Sequence, residues 1–123
     1  MITILSMLEE GYESSFEHLA FRQIKGAYGC KFICVPHHYT TMQEALDAAI
    51  GTKIFMLPPG RVDHSVEFKD LVLPEGDVVF VLGSPTENLI SYVGDNASTH
   101  ISTIDGIDLM AVCIAGIIMY VHG

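Results

Sequence analysis

Val78, Val79, Phe80, Val81 and Leu82 are apolar at five consecutive positions and run straight into Gly83, Ser84 and Pro85. A strand with one wet face alternates apolar and polar residues, whereas a strand covered on both faces does not. So short a run, bounded by turn residues, reads as a strand in the middle of a covered sheet. Covering both faces calls for helices on both sides, and that arrangement comes with parallel strands joined by helical crossovers.

The rest of the chain alternates in the way this requires. Residues 1–7 (MITILSM) form a short β-rich run. Residues 14–29 (SSFEHLAFRQIKGAYG) place Phe16, Leu19, Ala20, Gln23 and Ala27 at helical spacing, with Ser14 or Ser15 to cap the start and Gly29 to end it. Residues 30–35 (CKFICV) read as a strand that stops at Pro36. Residues 40–51 (TTMQEALDAAIG) open with Thr41 and Glu44 in capping-box spacing, carry Met42, Ala45, Leu46 and Ala49 on one face, and end at Gly51. A strand follows at 53–57, then a long turn-rich connection at 58–76, the strand at 77–82, a fifth strand at 99–103 (THIST) and an apolar last helix at 107–121. The expectation is one α/β domain over residues 1–123, a mostly parallel sheet with helices on both faces.

Half of the 123 residues are hydrophobic and 17% are charged, which suits a globular domain with one core. The formal net charge of −9 repels a phosphate backbone at long range and argues against strong, free-standing nucleic-acid binding. A helper protein, a local basic spot or a small-molecule ligand stays compatible with it. Cys30, Cys34 and Cys113 make an odd count without a CxxC pair, as in a reducing compartment, and read as small buried hydrophobes. The start "MITILSMLEEGYE" lacks the basic opening of a signal peptide. The run 107–121 carries Asp108 and falls short of the roughly 20 residues a membrane span needs. A soluble, cytoplasmic protein without membrane contact is expected.

Open α/β sheets bind ligands beyond the carboxyl ends of their strands. Here those ends are Met56 to Gly60, Leu82 to Pro85 and Ile101 to Asp105, each rich in the Gly, Pro, Ser or Thr found where main chain meets a ligand. On residue type alone, Gly83 either admits a ligand to the backbone or merely makes a tight turn.

Three stretches around these ends resemble, in order and spacing, the SPOUT RNA methyltransferases, specifically the small TrmL-like branch that methylates tRNA ribose 2′-hydroxyls. "MQEALDAAIGTKIFMLPPG" resembles the helix and strand that begin that family's methyl-donor site. "LPEGDVVFVLGSPTENL" resembles its second motif, and "HISTIDGIDLMAVCIAGIIMY" its third. The resemblance implies an α/β sheet with a C-terminal deep trefoil knot, S-adenosylmethionine as cofactor, a homodimer as the active unit, and RNA, most of all tRNA, as substrate rather than DNA. It implies that Leu57 and Ile101 wall the adenine, that Gly83 lets the main chain approach the adenosine, and that Asp108 and Leu109 belong to the cofactor site. The resemblance further implies a catalytic arginine on the first helix that acts on the 2′-hydroxyl. Gln23 occupies the arginine position and Ala20 the asparagine position, so Arg22, one residue away, is the candidate.

Other positions depart from the family pattern. Pro85 stands where the second motif has glutamate, and Asn88 where it has glycine. The Ser-x-Asn that opens the family's last helix is absent, whether Asp108 and Met110 or Gly106 and Asp108 take its place. These departures and the acidic surface keep a second reading open, a catalytically degenerate relative that binds S-adenosylmethionine or a protein partner. A third reading, an unknotted flavodoxin-like nucleotide-binding domain, lacks a glycine-rich phosphate loop. His37 and His38 raise a metal site, but neighbours on an extended chain point opposite ways and no CxxC or HExxH accompanies them, so no metal is assigned. His64, Arg61 and His100 read as exposed polarity or caps, and Asp105 and Asp108 as charges suited to the positive end of the last helix.

Overall fold

The computed structural model describes residues 1–7, 16–35, 38–57, 66–83, 89, 100–103 and 111–123. The strands are β1 (Ile2–Met7), β2 (Lys31–Val35), β3 (Thr52–Met56), β4 (Val66–Glu67), β5 (Val78–Leu82) and β6 (His100–Thr103). They form one sheet in the order β2-β1-β5-β3-β6-β4, with every pairing parallel. The four strands β2, β1, β5 and β3 make its continuous centre, and β6 and β4 extend it by shorter pairings. The apolar run of the sequence is β5, at most 2% exposed at each of its residues, wedged between β1 and β3.

Helices α1 (Phe16–Tyr28), α2 (Met42–Ala48) and α3 (Ala111–His122) cover the two faces. Ile4, Cys34, Ile54, Met56, Val78, Phe80 and Leu82 meet Phe21 of α1 and Ala111, Ala115, Ile118 and Met119 of α3 on the first face. Leu5, Met7, Ile33, Val35, Phe55, Leu57, Val79 and Val81 meet Met42, Ala45, Leu46 and Ala49 on the second. The alternation of side chains along each strand therefore feeds two separate cores. Chirality explains the division. The crossover from β1 to β2 and that from β2 to β3 run in opposite directions across the sheet, and two crossovers of the same hand must then lie on opposite faces.

Local sequence accounts for the helix ends. Thr41 Oγ1 accepts a hydrogen bond from the Glu44 amide at 3.2 Å and caps α2, and all four expected apolar residues of that helix are buried. Lys53 Nζ donates to the Ala49 carbonyl at 2.6 Å, placing a cation at the helix's negative end. In α1 the span agrees with expectation but the stripe does not. Phe21 is buried and Ile24 packs behind it, whereas Leu19, Gln23 and Ala27 are exposed. Residue spacing admitted two stripes turned by about 100° from each other, and the larger side chains took the core. The connection expected at 58–76 holds β4 and a 3-10 turn, Phe68–Asp70, whose Phe68 plugs the first core. The expected knot requires the course of residues 84–99 and 104–110, which apart from Leu89 lie outside the described residues.

The amino edge of the sheet is closely tied. Asp77 O accepts from the Thr52 amide at 2.9 Å, and Met1 O accepts from the Val78 amide at 3.1 Å. Gly51, with φ +134°, lies against this joint, and a Cβ there would stand 2.5 Å from Asp77 O. Gly29 also has positive φ, but a Cβ would meet nothing within 4 Å. Gly51→Ala should therefore cost about 3 kcal/mol or more in urea unfolding, through clash added to backbone strain, and Gly29→Ala about 1–2 kcal/mol. Equal costs at the two sites would contradict the assigned contact.

Candidate functional site

The pairing register sets a row across the sheet: Cys34, Ser6, Leu82, Met56, Ser102 and Val66 are successive partners. One residue further lies the carboxyl edge, where Val35, Met7, Gly83, Leu57, Thr103 and Glu67 follow in the same order. Gly83 thus stands between the ends of β1 and β3, and Leu57 between Gly83 and the end of β6. The structure brings these two expected residues together. Leu57 is buried with the second core, and Gly83 is half-exposed and offers only main chain. Ile101 pairs with Phe55, two residues inside this edge.

Topology singles out the same edge. The chain leaves β1 toward β2 but leaves β5 toward β6, so adjacent strands send their connections in opposite directions. Such a switch point opens a crevice at the carboxyl ends, where α/β proteins take ligands. Ser6, which pairs with Leu82 across this boundary, is fully buried, and its hydroxyl has no hydrogen-bond partner. One hydroxyl in an otherwise apolar strand produces no periodic signal, so sequence reasoning passed over it.

Arg22 is exposed on α1, over the first face, while the Leu57 side chain belongs to the second. Within the chain, Arg22 and Leu57 therefore lie on opposite faces of the sheet. Lys31 and Lys53 open their strands at the amino edge, so neither supplies positive charge beside Gly83. Asp108, Leu109, Arg61, His64 and His37 lie outside the described residues.

His38 has a structural task. Its Nδ1 accepts from the Cys34 amide at 2.9 Å, and its own amide donates to the Cys34 carbonyl at 2.8 Å. In a parallel strand both main-chain groups of one residue point the same way, so His38 closes the side of β2 that faces away from β1. Nδ1, committed to an amide, is not a metal ligand in this arrangement. Among the described residues no group of three or more His, Cys, Asp or Glu is placed to hold a metal ion. None of the three cysteines is in a disulfide: Cys30 and Cys34 are buried and Cys113 is exposed. Burial pushes the Cys30 thiol up, against a backbone hydrogen bond and the Lys25 charge, and leaves it an inert hydrophobe. Among the described residues no helix is long and apolar enough to cross a membrane.

Comparisons with protein-family profiles, curated proteins and solved structures give no match to this chain. What stands on the structure is an α/β fold with a central parallel sheet, on whose carboxyl edge Gly83 and Leu57 are neighbours.

The buried Ser6 hydroxyl, one residue inside the carboxyl edge, has a measurable signature. An unpaired buried hydroxyl destabilises the ligand-free chain, so Ser6→Ala should raise its unfolding free energy by about 1 kcal/mol in urea. A loss of stability would instead mean that an ordered water holds the hydroxyl.

Proposed function

We propose that this chain is a SPOUT-like, S-adenosylmethionine-dependent RNA methyltransferase domain that acts on a ribose 2′-hydroxyl, with tRNA as the substrate class. The observation that carries the reading is the juxtaposition of Gly83 and Leu57 on neighbouring strand ends beside the switch point. A bare main-chain position next to a buried apolar side chain suits a neutral adenosine, whose base edge needs backbone donors and acceptors and whose ring needs an apolar wall. The bound cofactor would supply an electrophilic methyl group. Leu57 would wall the adenine, Gly83 would let the main chain approach the adenosine, and Arg22 would stabilise the negative charge on the 2′-oxygen as its proton passes to solvent water. Ile101, Asp108 and Leu109 complete the proposed cofactor site, and the C-terminal trefoil knot belongs to the same proposal.

The reading includes a homodimer. Arg22 and Leu57 face different sides of one protomer, and a second copy could bring Arg22 to the donor site of its partner. Leu19 and Tyr28 of α1 and Tyr120 and Val121 of α3 are all more than 40% exposed, although the two helices pack on one another. That apolar surface suits burial against a second copy. The net charge of −9 favours a helper protein for RNA capture.

A degenerate, non-catalytic relative that keeps the donor crevice is favoured by one specific observation, the position of Arg22 off the face that holds Leu57. Calorimetric titration with S-adenosylmethionine and S-adenosylhomocysteine comes first. Micromolar binding that Gly83→Val weakens at least about tenfold, a loss of about 1.4 kcal/mol, is the expected result. Absence of binding at millimolar ligand would overturn both readings. With binding in hand, methyl transfer to bulk tRNA separates them: activity lost in Arg22→Ala supports the enzyme, and inactivity of the wild-type chain supports the binding module.

A further inference from the structure

The last turn of α3 carries an inference independent of that reading. His122 lies there with its ring edge-on to Phe68, centroids 5.2 Å apart, and nearly parallel to Phe80 at 6.3 Å. Phe68 comes from the 3-10 turn and Phe80 from the middle of β5, so the imidazole bridges the helix to two elements of the first core. Its Nε2 is sealed from solvent and has no hydrogen-bond partner. A slot of this kind tolerates a neutral ring. A protonated one would bury a charged N–H with nothing to accept it.

Among the described residues none is a hydrogen-bond partner of that nitrogen. β5 is apolar throughout. The 3-10 turn contributes Lys69 and Asp70, both exposed, and β4 contributes Glu67. The adjoining end of α1 and the start of β2 contribute Lys25, Tyr28 and Cys30, and α3 itself carries Cys113 and Tyr120, both exposed. The negative end of the helix and the face of Phe80 favour the cationic ring. Burial outweighs these effects and holds the His122 imidazole below its ordinary 6.5.

We propose that His122 is a proton-operated latch: neutral, it docks the last turn of α3 against Phe68 and Phe80, and protonated, it lets that turn leave the sheet. The direction follows from linkage. Once released, the ring takes a proton near 6.5, whereas the docked ring takes one only at lower pH. Docking is therefore at full strength above about 6.5, weakens as pH falls from there toward the depressed value, and changes no further below both. Tyr120 and Val121, exposed on the same turn, move with it.

Amide hydrogen exchange on the intact chain, corrected for the intrinsic effect of pH, tests the latch. Between about pH 7.5 and pH 5.5 the amides of the last turn of α3 should lose protection, by up to about tenfold, the limit that 6.5 for the released ring sets over this range, while those of β1 and β5 hold theirs. In His122→Phe the last turn should keep its protection across the same range. An equal loss in the variant, or a parallel loss across the sheet, would overturn the proposal. Should the variant fail to fold, the NMR titration of the wild-type His122 ring decides: a midpoint below 6.5 sustains the latch, and one at or above it overturns it.

Discussion

The fold depends on β5 filling the gap between β1 and β3. The first half of the chain supplies β2 and β1 as one pair and β3 as a separate strand, with a vacancy one strand wide between them. Only when residues 78–82 arrive do the two pieces share hydrogen bonds and both cores acquire their middle. Each fully buried side chain of this size contributes roughly 1.5–3 kcal/mol, so the five of β5 together are of the order of a whole domain's net stability. A central strand contributed so late in the sequence also makes the key contacts long-range, which slows folding and makes the domain cooperative.

The two edges of the sheet divide the work. At the amino edge, main-chain hydrogen bonds join Thr52 to Asp77 and Val78 to Met1, Gly51 lies close against Asp77, and the Met1 ammonium adds a solvent-exposed ion pair to Asp77 at 3.0 Å. An exposed pair of this kind contributes little; the main-chain bonds and the close approach at Gly51 fix the joint. Residues at the carboxyl edge are thus carried on strands held at their amino ends, the kind of support a binding site requires.

Much of the fold was legible because the informative residues act locally or in runs. β5 showed itself through uninterrupted apolarity, and α2 through the Thr41 cap and four residues on one face. The span of α1 was clear while its rotation was not, since choosing between the stripe of Leu19 and that of Phe21 needs the shape of the core it meets. β4 pairs over two residues and has no pattern to read. At the site, Gly83 and the end of β3 stood out as punctuation. The buried Ser6 hydroxyl and the ring of His38 turned back on Cys34 are products of tertiary geometry, invisible to spacing. The SPOUT resemblance rests on the order of three loose motifs. The comparisons return no family for it, so order alone carries it.

His38 has a consequence for how copies of this chain can meet. An open parallel sheet normally offers two margins of unpaired amides and carbonyls, each a template for another strand. On the β2 margin the Cys34 positions are already taken by His38, and on the opposite margin β4 is only two residues long. Growth by strand addition, the route that leads to fibres, finds little purchase at either side. A second chain would then find the helical surfaces the more open to it, where contacts are made by side chains and can be specific to one partner.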